Sequence, residues 1–141
     1  LNLRNPNAVR PWQHVLDSLF GYLYLALGLD KDKTLSGAYN FGPNYEDKIS
    51  VIDLVKIVKK ELKDFNFTII ESESKLHETK LLSLNNEKSK KYLKFFTKWN
   101  SEEAISKSIR WYKNYYNNCN AIDLCNQDLN DYLNIKVNQD E

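Results

Sequence analysis

The feature that most constrains the fold is an apolar run near the N-terminus. From Leu19 to Leu29 the chain contains only apolar residues and two glycines, and the run is bounded by Asp17 and Asp30. With the residues before it, this run predicts a helix from Gln13 to about Leu29 that is apolar nearly all round. Such a helix is usually buried on most sides, which is unusual in a domain of 141 residues. We therefore expect it to pack against a body larger than this chain.

A membrane span explains the run poorly, because the hydrocarbon core of a bilayer requires about 20 apolar residues in a helix. No basic segment followed by an apolar one opens the sequence, so we expect no signal peptide. The sequence thus favours a cytoplasmic protein. Its first residue is Leu rather than Met, which indicates either processing or a start inside a longer gene.

Composition limits the classes of partner. The length allows a single domain over residues 1–141, and an apolar fraction of 42% is ordinary for a folded protein. Twenty basic residues against nineteen acidic ones leave a formal net charge of +1. This balance gives no overall field that would attract nucleic acid or an anionic membrane, although a local anion site remains open.

The residues that commonly carry enzyme chemistry are sparse. Cys119 and Cys125 lie six positions apart without further cysteines, and we expect them to be unremarkable thiols. His14 and His77 are the only histidines. Glu78 is adjacent to His77, but nothing pairs the two histidines, so we expect no metal site. The four glycines are too scattered to form a phosphate-binding loop. The chain itself therefore predicts neither catalytic nor cofactor-binding residues.

The remaining pattern predicts short strands between amphipathic helices. Residues 1–12 should be extended or irregular, and Ser50 should begin a helix that ends near Lys63. Further strands are predicted at 38–41, 65–70 and 81–84. Further helices are predicted at 86–94 and 121–133, and between them a helix that is capped by Asn100 or Ser101. The helix after residue 100 should bury a broad face that contains Ala104, Ile105, Ser108, Ile109, Trp111, Tyr112 and Tyr115. The lysines between Lys88 and Lys98 should form a solvated face.

The segment from Arg4 to Val15 is the most informative for function. It contains two arginines, several amide side chains, an indole and an imidazole, and Pro6 and Pro11 stiffen it. Arginine binds phosphate through two parallel hydrogen bonds, and a stiff loop lowers the entropy cost of binding. From the residues alone, an anion site and a solvated basic loop remain equally open.

A resemblance favours the anion site. The block RPWQHVLD at residues 10–17, followed by Gly21-Tyr22-Leu23, resembles the signature region of CDP-glucose 4,6-dehydratases, which belong to the extended short-chain dehydrogenases/reductases. Later blocks are similar more loosely. They are Gly37 to Pro43, Ser50 to Val55, His77-Glu78, Leu84 with Lys88, Ser101 to Ala104, Trp111-Tyr112, Asp123-Leu124, Gln127 and Tyr132. In such enzymes this order forms the C-terminal half.

The resemblance implies roles for individual residues. Arg10 matches the arginine that contacts the substrate pyrophosphate, and Asn40 matches an asparagine that helps hold the phosphates. Glu78 falls near an acidic position close to the nucleotide ribose, with His77 beside it. Trp12, Gln13 and His14 lie in the block particular to the CDP-glucose branch. The implied substrate-binding residues are Arg10, Asn40, His77, Glu78, Trp12 and His14.

Two departures and one absence qualify the resemblance. Leu84 is followed by Asn85-Asn86-Glu87-Lys88-Ser89 instead of the usual Asp-x-Ser-Lys-Ala, and Leu93-Lys94-Phe95 replaces Leu-Gly-Trp. The nicotinamide fingerprint and the Tyr-x-x-x-Lys pair of the family have no counterpart here. The implied fold is α/β: a helix-rich C-terminal substrate-binding half with few short strands and without the Rossmann half, on which residues 13–43 normally pack.

The implied function is recognition of CDP-glucose within a lyase that forms CDP-4-keto-6-deoxyglucose with bound NAD, in carbohydrate biosynthesis of the O-antigen kind. By itself the chain should bind no NAD and catalyse nothing, and its uncovered surface should favour self-association into homo-oligomers. Two alternatives stay open. The chain could be a stand-alone helical interaction module, or the substrate half of a related nucleotide-sugar epimerase or decarboxylase.

Overall fold

A computed structural model describes residues 1–70 and 79–135. Within these ranges helices dominate and the strands are only two residues long. The helices are α1 (Val15–Lys31), α2 (Val51–Glu61), α3 (Glu87–Leu93), α4 (Ser101–Tyr116) and α5 (Ala121–Asn134). The strands are β1 (Asn2–Leu3), β2 (Val9–Arg10), β3 (Ile49–Ser50) and β4 (Thr68–Ile69). The predicted helix-rich architecture with few short strands is therefore confirmed.

The helix starts follow from capping residues that the sequence contains. The hydroxyl oxygen of Ser50 accepts a hydrogen bond from the backbone N–H of Asp53 and caps α2. Asn100 and Glu103 form a reciprocal capping box at the start of α4, and Asn120 caps α5. Each of these side chains satisfies backbone N–H groups that have no partner inside the helix, which fixes the first turn.

The N-terminal segment joins the short strands. β1 pairs in parallel with β4, with Leu3 opposite Ile69. β2 pairs antiparallel with β3, and Val9 also forms a parallel bridge to Leu81. Residues 1–10 are thus held between the strand before α2, the strand after it, and the segment that precedes α3.

Buried side chains form three clusters. The first lies between α1 and α3, the second between α2 and α4, and the third between α1, α4 and α5. Their buried members are Phe41, Leu93 and Phe95 in the first, Ile57, Val58 and Ile105 in the second, and Trp99, Ala104 and Tyr132 in the third. Phe20 packs against both the first and the third cluster, so α1 connects them.

Two predicted strands are absent from the described residues. The segment 38–41 is irregular, because its carbonyl groups are bonded by side chains of α3 instead of a neighbouring strand. Lys88 Nζ donates to the carbonyl of Ala38, and Ser89 Oγ donates to that of Asn40. Residues 81–84 contribute only the bridge at Leu81. Lys88 also packs over the Tyr39 ring, so it does not belong to a merely solvated face.

The predicted buried face of α4 is correct only in its first half. Ala104 and Ile105 are buried, whereas Tyr112 and Tyr115 are 56% and 46% exposed. Tyr115 stacks on Trp111 at a ring-centroid distance of 5.3 Å instead of packing on another helix. The burial of α4 is greatest where α2 covers its first turns, and the aromatic second half lies at the surface.

α1 is only partly covered by the rest of the described chain. Of its 17 residues only Asp17 and Gly21 are buried. One side carries an apolar stripe that is 46–64% exposed and consists of Val15, Leu19, Tyr22, Leu23 and Leu27. Their spacing places them along one face of the helix. No helix of the described residues is long and apolar enough to cross a membrane.

Candidate functional site

Arg10 lies in β2, and its guanidinium is anchored by the backbone. Nη1 donates to the carbonyl of Val9 over 2.8 Å and to the carbonyl of Thr79 over 3.0 Å. The side chain is half-buried. A guanidinium has five N–H donors in a planar fork. Because the hydrogen bonds from this guanidinium to described residues use Nη1, the Nη2 and Nε donors are the ones that an oxyanion could engage.

Asn40 lies in the irregular segment between α1 and α2 and is exposed. Its Nδ2 donates to the carbonyl of Asn85 over 3.1 Å, and its own carbonyl accepts from Ser89. Gln13 holds the same segment to the start of α1, because its Nε2 donates to the carbonyl of Phe41 over 3.0 Å. The block at 10–17 and the Tyr-Asn-Phe block are therefore in direct contact.

Arg10 and Asn40 contact the two ends of one stretch of chain. Arg10 bonds to Thr79, and Asn40 bonds to Asn85, six residues further on. A fully extended chain of six residues spans at most about 20 Å. Arg10 and Asn40, thirty positions apart in sequence, thus both bond to the segment from Thr79 to Asn85. This segment leads into residues 85–89, where the sequence departs from the family pattern.

His77 and Glu78 lie outside the described residues, and their predicted contact with a nucleotide ribose stays a prediction. Thr79, which follows them directly in the sequence, is the residue whose carbonyl Arg10 bonds.

Trp12 packs inward. Its ring lies against the second cluster, and its carbonyl accepts a hydrogen bond from Ser101 Oγ over 3.1 Å. Its indole N–H is buried without a hydrogen-bond partner among the described residues. Nothing in this placement brings the ring to Arg10, so its predicted contact with substrate stays a prediction.

His14 caps α1 and is 4% exposed. Its Nδ1 accepts from the backbone N–H of Leu16 over 3.3 Å, and its ring meets the edge of Trp99 at a centroid distance of 4.6 Å. Burial, together with the nearby charge of Lys107, lowers the pKa of His14 to about 4. The ring is therefore neutral near pH 7, and since Nδ1 accepts a hydrogen bond, the proton lies on Nε2.

Asp17 is a key residue that the sequence reasoning missed. It is fully buried, and its Oδ1 accepts hydrogen bonds from the backbone N–H of Lys98 over 2.9 Å and from the Tyr132 hydroxyl over 2.7 Å. Burial raises the pKa of this carboxyl group, and the two hydrogen bonds partly oppose the shift. A single carboxylate at the head of an apolar helix was the signal that could have identified it.

The described residues contain no group of His, Cys, Asp and Glu side chains that could hold a metal ion. Cys119 and Cys125 are free, exposed thiols, as predicted. The glycines also have structural explanations, since Gly21 and Gly28 lie inside α1. Along residues 1–70 and 79–135 no glycine-rich turn leads from a strand into a helix.

No protein-family model matches the chain. The comparison with curated proteins gives a relative whose sequence runs along nearly all of the described residues, with 29% identity over 132 residues and 93% of this chain covered. The chain is similar to a CDP-glucose 4,6-dehydratase. This relative comes from Salmonella typhimurium, and the chain spans 37% of its length. The resemblance inferred from the motif blocks is thereby confirmed, and the likeness supports a function related to the nucleotide-sugar dehydratases.

Proposed function

We propose that the chain is the nucleotide-sugar-binding part of a dehydratase that converts CDP-glucose to CDP-4-keto-6-deoxyglucose. In this proposal Arg10 and Asn40 hold the pyrophosphate, and His77 and Glu78 lie near the ribose. Trp12 and His14 belong to the same block, and contact of either with the substrate remains a prediction. The observation that carries the proposal is the anchored guanidinium of Arg10, within a block that resembles the signature of these dehydratases.

The geometry at Arg10 supports phosphate binding in two ways. The bonds from Nη1 to Val9 and Thr79 fix the plane of the guanidinium before any ligand arrives. Prior fixation lowers the entropy cost of binding, and the fork of a guanidinium matches two oxygens of a phosphate. Asn40 supplies a second polar side chain at the other end of the segment 79–86.

The exposed stripe on α1 supports the proposal that this chain packs on a larger α/β body. Contiguous apolar surface of this kind usually marks an interface. We propose that residues 13–43 pack on a cofactor-binding Rossmann domain of the same enzyme, which also holds NAD and the catalytic groups. A cytoplasmic location and self-association of the chain belong to the same proposal.

Calorimetric titration of the 141-residue chain with CDP-glucose, UDP-glucose and GDP-glucose tests the proposal. CDP-glucose should bind most tightly and without turnover. Arg10→Ala should weaken binding by about 10- to 100-fold, since hydrogen bonds to a charged group contribute about 1.5–3 kcal/mol. Arg4→Ala is the matched control, because Arg4 is exposed in the same segment, and it should bind like the wild type.

Equal affinity of Arg10→Ala and the wild type would remove Arg10 from the phosphate site. Equal affinity for the three nucleotide sugars would contradict the CDP-glucose branch and favour another activity, such as that of an epimerase or decarboxylase. Absence of binding to all three, in a chain whose thermal unfolding is cooperative, would favour a helical interaction module. The affinity of Arg10→Lys separates the effect of charge from that of geometry. Lysine keeps the positive charge but lacks the planar pair of N–H donors of the guanidinium.

A further inference from the structure

A cavity of about 420 Å³ lies between the start of α1 and the facing sides of α4 and α5. Its walls are mostly apolar, with Leu16 on one side and the rings of Trp111 and Tyr112 on another. The volume is in the range of small-molecule sites, which are typically about 300–1,000 Å³ and largely apolar with few polar groups. Arg10 and Asn40 do not line it.

His14 supplies a hydrogen-bond donor to this cavity. It lines the cavity and is 4% exposed. Its Nδ1 is occupied by the backbone N–H of Leu16, so the neutral ring carries its proton on Nε2. The nearest charged group to Nε2 is Asp128 Oδ2 at 3.8 Å, which is too long for a hydrogen bond. Nε2 thus makes no hydrogen bond to a described side chain, and its N–H remains open to a molecule in the cavity.

Acceptors that lack donors lie in the same cavity. Asp128 lines it from α5 and has no hydrogen bond to another described residue apart from the long approach to His14. The Oε1 atom of Gln13 is also buried without a partner, since its Nε2 makes the bonds to Ser18 and Phe41. An unpaired buried group such as this Gln13 oxygen is costly, whereas the Asp128 side chain is 18% exposed. A molecule that accepts a hydrogen bond from the His14 N–H and donates one to the Asp128 or Gln13 oxygen supplies the missing partners.

A hydroxyl group meets this requirement. An oxygen atom about 2.8 Å from both His14 Nε2 and Asp128 Oδ2 is geometrically allowed, because the two atoms are 3.8 Å apart. It accepts from the imidazole and donates to the carboxylate. A water molecule does the same, but it leaves the apolar walls uncovered. An anionic ligand is disfavoured, because Asp128 is the charged residue of the lining and no described lysine or arginine lines the cavity.

We propose that this cavity is a binding site for a small uncharged molecule with a hydroxyl group on an apolar, ring-sized body. The hydroxyl bridges His14 Nε2 and Asp128 Oδ2, and the body packs against Leu16, Trp111 and Tyr112. Arg10 and Asn40, which hold the pyrophosphate in the nucleotide-sugar proposal, do not line this cavity. His14, whose contact with that substrate stays a prediction, is here assigned to the cavity instead.

The experiment compares p-cresol with toluene, two probes that differ by one hydroxyl group. Each is titrated into the ¹⁵N-labelled chain, and amide and indole N–H shifts are followed. The expected shifts lie at Leu16, Ser108, Trp111 and Cys125. p-Cresol should bind about three- to tenfold more tightly than toluene, because its hydroxyl group makes two hydrogen bonds that toluene cannot make. In a purely apolar pocket the order is opposite, since toluene is the more hydrophobic probe.

Variants on α5 make the assignment specific. Asp128→Ala removes the acceptor without removing a hydrogen bond of the fold, and it should reverse the order so that toluene binds more tightly. Asp131→Ala is the matched control. It removes the same charge from the same helix, and Asp131 is half-exposed, pairs with Lys107 and does not line the cavity. This control should keep the preference for p-cresol.

Three results would overturn the proposal. The first is tighter binding of toluene to the wild type. The second is a preference for p-cresol that survives in Asp128→Ala. The third is a set of shifts confined to the exposed stripe of α1, which would place the probes on the surface. Loss of CDP-glucose binding in Arg10→Ala bears on the nucleotide-sugar site alone and leaves this proposal unaffected.

Discussion

The Tyr132 hydroxyl donates a hydrogen bond of 2.7 Å to Asp17 Oδ1, across 115 positions of sequence. Both residues are almost completely buried. The same oxygen accepts from the backbone N–H of Lys98, and Lys98 Nζ donates to the carbonyl of Tyr132. One carboxylate thus connects α1, α5 and the segment before α4 in the third cluster.

Tyr132→Phe should destabilise the chain by about 1–3 kcal/mol, because a buried carboxyl group loses one of its two donors. The free energy of unfolding is measured by urea denaturation with circular dichroism. Tyr116→Phe is the control, since Tyr116 is 78% exposed, and its stability should stay within about 0.5 kcal/mol of the wild type. Equal midpoints for Tyr132→Phe and the wild type would show that the hydrogen bond contributes nothing.

His14 predicts a pH dependence with a definite sign. Its pKa falls from 6.5 in the unfolded chain to about 4 in the folded one. Between these values the unfolded state binds more protons, so stability rises with pH. The contribution is fully present above pH 6.5 and is lost as the pH falls towards 4. Its size is up to about 3 kcal/mol, since each pKa unit corresponds to about 1.36 kcal/mol.

The measurement compares the wild type with His14→Asn, which keeps a capping side chain at the start of α1. The difference in unfolding free energy between the two proteins should shrink as the pH falls from 7 to 4.5. Burial raises the pKa of Asp17, so its contribution to stability depends on pH in the opposite direction. That contribution is the same in both proteins and cancels in the difference between their unfolding free energies. A difference that is constant with pH would refute the buried neutral state of His14.

Gly21 fits against the ring of Phe41. A Cβ atom at Gly21 would lie 2.5 Å from two ring carbons, a distance at which the ring or the helix must move. Gly21→Ala should therefore destabilise by about 1–3 kcal/mol, although alanine is the better helix former. The same added Cβ at Gly28 meets only the flexible ends of Leu35 and Leu93, at 3.0 and 3.4 Å.

Gly28→Ala is thus the matched control on the same helix and should be clearly less destabilising than Gly21→Ala, as measured by thermal unfolding. Phe41→Leu in the Gly21→Ala background should recover part of the loss, because it removes the ring from the contact. Equal effects of the two glycine substitutions would mean that the contact with Phe41 does not restrict residue 21.

Lys94 ends α3 in the left-handed region, at a φ of 52°. This is where the resembled family has glycine, and a residue with a Cβ is strained there. Lys94→Gly should stabilise the chain by about 0.5–1 kcal/mol, as measured by urea denaturation. Asn118 also has a positive φ, of 64°, yet asparagine tolerates this region, so Asn118→Gly should have a smaller effect. A loss of stability in Lys94→Gly would contradict the strain.

The sequence by itself determined the features that depend on near neighbours. Ser50 predicted the start of α2, and Asn100 or Ser101 that of α4, where Asn100 is the cap. A cap is an interaction over about three residues. The run from Leu19 to Leu29 predicted the apolar character of α1. The motif blocks predicted the likeness to the dehydratase, which the comparison bears out.

Tertiary structure alone decided what depends on residues far apart in sequence. The segment 38–41 has the composition of a strand, yet side chains of α3 bond its carbonyl groups. Trp12 lies in the block whose resemblance implies substrate contact, and only the structure shows that it packs against the second cluster. Asp17 reads as a boundary of an apolar run, yet Tyr132 and Lys98 make it a buried connection between helices. Hydrogen-bond partners at such distances are selected by the packing of the whole chain, and no local pattern specifies them.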